Sequence, residues 1–188
     1  LIAEELWSLI LSLGSVISAR HISGVKNVRA DALSRMSDRY DHRIHQSFFD
    51  EAISSKWAVT VDAFASNSSR KLPRFWSRRP APGAERVDAF NVPWTGELLF
   101  LFPPEKLIPL CLNKLIREEA EAVLIAPSNI FFWTPLLLRC NAWGGGDSIP
   151  IPSSMFSPGP SSPHNPYGTK GWDLRAWRLS GRPPHMLL

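Results

Sequence analysis

The chain has 188 residues, 44% of them hydrophobic and 20% charged, with a formal net charge of +4. That length suits one ordinary domain, or a small domain with pieces of others. Cys111 and Cys140 form no CxxC pair, which excludes a disulfide framework or zinc ribbon and fits a reduced intracellular setting; the apolar opening, residues 1–13, is too short for a bilayer, is interrupted by Glu4 and Glu5, and lacks a basic leader, so no membrane role is expected.

Leu1, Ile2, Leu6, Leu9, Ile10 and Leu13 recur at helical spacing, and Gly14 stops the pattern. Residues 16–21 read as a strand rich in β-branched side chains, followed by a Ser23-Gly24 loop. A helix capped by Asn27 then runs to about Met36. Residues 37–45 are polar and charged and read as a linker. A helix from about Gln46 to Lys56 is expected to turn Phe48, Phe49, Ala52 and Ile53 inward. Residues 57–61 lead as a strand into Asp62-Ala63-Phe64-Ala65-Ser66, and the Pro- and Arg-rich region 70–86 reads as loop. Leu98-Leu99-Phe100-Leu101-Phe102 is an apolar run of strand length stopped by Pro103-Pro104. A helix from Glu105 to about Glu121 tolerates Pro109 in its first turn. Ala122 to Ala126 form a second apolar strand, stopped by Pro127. Two fully apolar strands joined by a helix predict a βαβ unit of a parallel sheet, with ligands at the carboxyl ends of its strands. From Cys140 onward the chain holds eight prolines and seven glycines, a composition that predicts a mostly disordered connector; the island Trp172 to Leu179 has aromatic spacing suited to docking.

The segment His21-Ile22-Ser23-Gly24-Val25-Lys26-Asn27-Val28-Arg29-Ala30-Asp31-Ala32-Leu33-Ser34-Arg35 resembles the C-terminal end of the ribonuclease H domain of a retrotransposon reverse transcriptase. That chemistry uses clustered carboxylates to hold two Mg²⁺ ions, hard cations that prefer oxygen ligands. The resemblance implies that Asp31 is the last metal-binding carboxylate and His21 the loop histidine that moves a proton. The family's other carboxylates lie upstream of this motif. The chain opens on Leu rather than Met, so the reading is an internal polyprotein fragment that does not cut RNA alone.

Residues 57–138 resemble the region after ribonuclease H in DIRS-like, tyrosine-recombinase retrotransposons, related to phage-type DNA adenine methyltransferases. The residues carrying this are Asp62 to Ser66, Lys71-Leu72-Pro73-Arg74-Phe75, Asp88-Ala89-Phe90, Pro93-Trp94, Phe102-Pro103-Pro104 and Leu124-Ile125-Ala126-Pro127. Active relatives place Asn or Asp, then Pro-Pro, then an aromatic after the central strand, to hold and stack a flipped adenine. Here Phe102 stands at the acceptor position and Glu105 at the aromatic one, and Ser69 replaces a usual Asn. The resemblance therefore implies a methyltransferase-like scaffold without methyl transfer. Asp62 marks at most a remnant S-adenosylmethionine pocket, and binding of that cofactor is not expected. Residues 163–166 and 174–181 resemble the connector toward the recombinase of such elements.

The leading expectation is an α/β chain in four parts. Residues 1–36 end a ribonuclease H fold as helix, strand and helix; 37–45 link; 46–139 form a small Rossmann-like, methyltransferase-like parallel-sheet domain; and 140–188 are disordered. Its role would be reverse transcription and integration of a mobile element, with Mg²⁺, nucleic acid and the rest of the polyprotein as partners of the parent. A second reading starts from local charge, since residues 51–86 carry the basic excess. It is a nucleic-acid-binding module using Arg70, Lys71, Arg74, Arg78 and Arg79, with Phe75 and Trp76 for stacking. A decayed copy without function is the third.

Overall fold

In the computed structural model, residues 43–157 and 173–183, together with Ser12, are described. The chain divides after Ser37 into two units. His21, Asp31 and the helix–strand–helix expected for residues 1–36 lie outside the described residues.

The second unit is α/β. In chain order its strands are β1 Arg43–Ile44, β2 Val61–Ala65, β3 Phe75–Ser77, β4 Arg86–Val87, β5 Leu98–Leu101, β6 Glu121–Pro127, β7 Ser148–Ile151, β8 Phe156–Ser157 and β9 Leu174–Ser180. Helix α1 runs from Gln46 to Trp57 with a π-helical middle, Phe49–Ser54; α2 is Ile108–Arg117 and α3 is Thr134–Trp143. Seven strands form one sheet in the order β4-β3-β2-β5-β6-β9-β7, and β1 pairs with β8 in a separate two-stranded ribbon. The pairs from β4 to β6 are parallel, whereas β9 runs antiparallel to both β6 and β7.

The sheet is covered on both faces, which is why its central strands read as unbroken apolar runs. Successive side chains point to opposite faces. Leu99 and Leu101 of β5, with Ala122, Leu124 and Ala126 of β6, pack against Ile108, Cys111, Leu112 and Leu115 of α2 and Leu137 of α3. Phe100, Val123 and Ile125 face the other way, onto Phe49 and Ile53 of α1, Ile44 of β1 and Phe156 of β8. Phe49 meets Phe100 edge-on with ring centroids 4.9 Å apart, a favoured aromatic geometry. The expected βαβ unit is present: β5 and β6 are parallel neighbours joined through α2, with Pro109 in its first turn.

Several expectations are corrected. Residues 70–86 are not all loop: β3 and β4 lie within them, and Phe75 and Trp76 are buried by neighbouring strands, a tertiary effect that local Pro and Arg content conceals. The strand after α1 begins at Val61 rather than residue 57, because Ala58 takes a left-handed φ of 48° that ends the helix and turns the chain. Helix α2 ends at Arg117, and Glu119 at φ 49° leads the turn into β6.

The largest correction concerns the connector. Helix α3 crosses the expected boundary at residue 139, β7 comes next, and β9 lies inside the sheet between β6 and β7. Leu174 and Ala176 complete one core cluster, Trp177 and Leu179 the other. Proline and glycine counts averaged over 49 residues hid a seven-residue strand; only its aromatic spacing hinted at docking. The linker assignment is likewise revised for Arg43 and Ile44, which form β1.

Two glycines fix how closely elements approach. A Cβ on Gly181 would stand 1.9 Å from the Leu115 carbonyl oxygen of α2, and one on Gly144 would stand 2.7 Å from the Arg178 carbonyl oxygen of β9. Both obstacles are backbone, which cannot swing aside.

The amino ends of the strands are tied by charge. Arg74, just before β3, donates through Nε and Nη2 to Glu85, before β4, at 2.9 Å each. It also reaches Glu97, before β5, at 2.7 and 3.1 Å. Thr60, before β2, donates to Glu97 as well. The Arg74 hydrogen bonds hold both carboxyls below their ordinary value of 4.5. A lowered folded-state value means stability that is present above the unfolded value and lost as pH falls through the folded one. Urea unfolding between pH 7 and pH 3 is therefore expected to lose stability below about pH 4.5. Arg74→Ala should flatten that part of the profile; an unchanged profile would show that the network contributes nothing.

Candidate functional site

Parallel strands β2, β3, β5 and β6 end on one edge, where ligands of open α/β sheets gather. Of the residues singled out for methyltransferase chemistry, Phe102 to Glu105 follow β5 on this edge, and Asp62 lies within β2. Asp62 is the second residue of β2 and only 3% exposed; its Oδ2 accepts a hydrogen bond from the Lys71 backbone N–H at 2.9 Å. The turn after β2 is held by its own hydroxyls: Ser66 and Ser69 Oγ are 2.8 Å apart, and each backbone N–H donates to the other's hydroxyl. Arg43 of β1 donates to Ser68.

Between Asp62, Ser69, Lys71, Phe100 and Phe102 lies a hollow of about 10 Å³, roughly room for one water. Asp62, in its lining, already serves its own loop.

The turn after β5 holds Phe102, Pro103, Pro104 and Glu105. Phe102 is half-buried and packs its ring 6.1 Å from that of Phe156 in β8. Its side chain has no hydrogen-bond acceptor, and it packs against the apolar cluster on the α1 side of the sheet. Pro103 is buried and Pro104 exposed. Glu105 is half-buried and opens a short 3-10 turn, Glu105–Leu107, where the Leu107 N–H returns to the Pro104 carbonyl. No aromatic platform for a base stands at Glu105.

The basic segment is divided by the fold. Arg74 is committed to two glutamates at the opposite edge, so its expected phosphate contact is withdrawn. Phe75 and Trp76 are 0% and 3% exposed, which removes them as stacking partners for bases. Arg70, Arg78 and Arg79 remain exposed at the carboxyl edge, and Lys71 is half-buried beside Asp62. Arg70 lies over the Phe75 ring, 5.2 Å from its centroid, a geometry that favours the cation.

Sequence reasoning missed the loop after β6. Ile130 and Phe132 are 93% and 86% exposed, while Phe131 and Trp133 turn inward and stack at 4.8 Å with planes 6° apart. Thr134 fixes the loop by accepting from the Phe131 N–H and donating to the Asn129 carbonyl. The run Ile130-Phe131-Phe132-Trp133, soon after the proline that stops β6, was the available signal.

Among the described residues no group of three or more His, Cys, Asp or Glu side chains converges to hold a metal ion, and no helix is long and apolar enough to cross a membrane. Cys111 and Cys140 are free and buried; desolvation pushes both thiols up, Cys140 to about 11, so neither is an activated nucleophile. Comparison with protein-family models, curated proteins and solved structures finds no match to this chain.

Proposed function

We propose that the second unit is a methyltransferase-like domain of a retroelement polyprotein that has given up methyl transfer and acts as a structural and binding module. The observation that carries the reading is the strand order. A parallel half-sheet is extended by β9, reversed and slotted between β6 and β7, as in Rossmann-like methyltransferase sheets. This is a fold-level analogy. It agrees with the motif resemblance in the position of the Pro103-Pro104 turn directly after β5. The loss of activity rests on side chains: Phe102 offers no acceptor to an adenine amine, an omission that costs about 1–3 kcal/mol, and Glu105 offers no ring.

In the parent, the ribonuclease H-like segment bearing His21 and Asp31 would precede this module and share in reverse transcription and integration. The test is to incubate the purified chain with radiolabelled S-adenosylmethionine and adenine-containing DNA, and to titrate the cofactor calorimetrically. Neither methyl incorporation nor cofactor binding is expected, and N6-methyladenine above background would overturn the assignment. Separately, magnesium-dependent cutting of an RNA–DNA hybrid by this chain, abolished in Asp31→Asn, would show that it acts as a nuclease unaided.

A further inference from the structure

We propose that the carboxyl edge of the sheet binds single-stranded nucleic acid, with Arg78 and Arg79 on the phosphates and Phe132, backed by Ile130, against the bases. The inference goes beyond the methyltransferase-like assignment and does not depend on it, because strand binding and methyl transfer are measured separately.

Two observations meet on this edge. The first is free positive charge. Arg78 and Arg79 directly follow β3 and are exposed, and neither forms an ion pair with a carboxylate among the described residues. Carboxylates share this edge, Asp88 after β4, Glu105 after β5 and Asp173 before β9, but none is ion-paired with either arginine. Three other arginines are paired: Arg74 with two glutamates, Arg178 with Glu121 and Arg182 with Glu119.

The second is a rigid apolar projection. Phe132 and Ile130 are the two most exposed large hydrophobics among the described residues, and the loop that carries them is pinned from within by the Phe131–Trp133 stack and by Thr134. Ordering such a loop on binding costs little, since it is ordered already. An apolar pair on the same edge as guanidinium groups matches the stacking-plus-phosphate mode of single-strand recognition. Strands β3 and β6 are three steps apart in the sheet, roughly 14 Å at the usual strand spacing. That separation spans a few nucleotides of an extended strand. Duplex DNA keeps its bases stacked inside, where Phe132 cannot reach their faces.

Fluorescence anisotropy of labelled oligo(dT) and oligo(U) with the full chain tests this at rising salt, with a duplex of equal length as control. Binding at about 50 mM salt should weaken steeply by about 200 mM. Phe132→Ala should lower affinity about tenfold, and Arg78→Ala with Arg79→Ala should reduce the log–log salt slope by about 1.4. These residues are exposed, so unfolding midpoints should match the parent chain and losses can be assigned to the interface. Tighter binding of either oligonucleotide than of duplex supports the proposal, the preferred one telling DNA from RNA. No binding at low salt, a preference for duplex, or a Phe132→Ala variant that binds like the parent would each overturn it.

Discussion

A chain ending at Trp172 is expected to lose the cooperatively folded α/β unit altogether. Strand β9 pairs with β6 along seven residue positions and with β7 along four, so its removal strips partners from both at once. The Trp177 indole N–H donates to the Ala126 carbonyl, Asn141 donates to the Arg178 carbonyl, and the Gly181 N–H donates to the Ala120 carbonyl. Each would leave a polar group that the remaining fold cannot satisfy. Leu174, Trp177 and Leu179 are all buried, and at about 1.5–3 kcal/mol per side chain their loss alone approaches the whole stability of an ordinary domain. Far-UV circular dichroism and urea unfolding of the shortened chain give the answer. Retention of the parent's cooperative transition would mean that residues 173–188 are the dispensable connector their composition suggests.

The second large effect is expected from a single methyl group. Gly181→Ala places a Cβ where the Leu115 carbonyl oxygen stands 1.9 Å away and its carbon 2.5 Å away. No rotamer change relieves this, because both atoms belong to the backbone of α2. Helix and strand must separate, loosening the Gly181 N–H to Ala120 hydrogen bond and the packing of Leu115 and Leu179. A loss of about 3 kcal/mol is expected, at the upper end of ordinary overpacking. Gly144→Ala meets its obstacle at 2.7 Å and should cost less. The order of the two urea midpoints is the check. Equal midpoints, or a Gly181→Ala chain as stable as the parent, would show that helix and strand can part there at little cost.

The legible parts of the fold rest on signals that are local in the chain. The runs 98–102 and 122–126, each closed by proline, read as strands, and both are. Their parallel pairing followed from the helix between them. The inward placement of Phe49 and Ile53 and the tolerance of Pro109 are likewise legible from local spacing. The misses depend on distant partners. Phe75-Trp76-Ser77 becomes a strand because β2 and β4 flank it, and Leu174 to Ser180 becomes one because β6 and β7 leave a gap for it. Arg74 read as a phosphate contact because Glu85 and Glu97, 11 and 23 residues away, could not be foreseen as its partners. Ile130 and Phe132 carry no local mark of their exposure; only the fold shows them standing outside the core.

The position of β9 also bears on when the unit can form. A sheet whose last-synthesised strand is an interior one stays open between β6 and β7 until nearly the whole unit has left the ribosome, with the facing edges of those strands bare in the meantime. Any shortened chain that stops before residue 173 lacks the strand that joins β6 to β7 and can never close that gap.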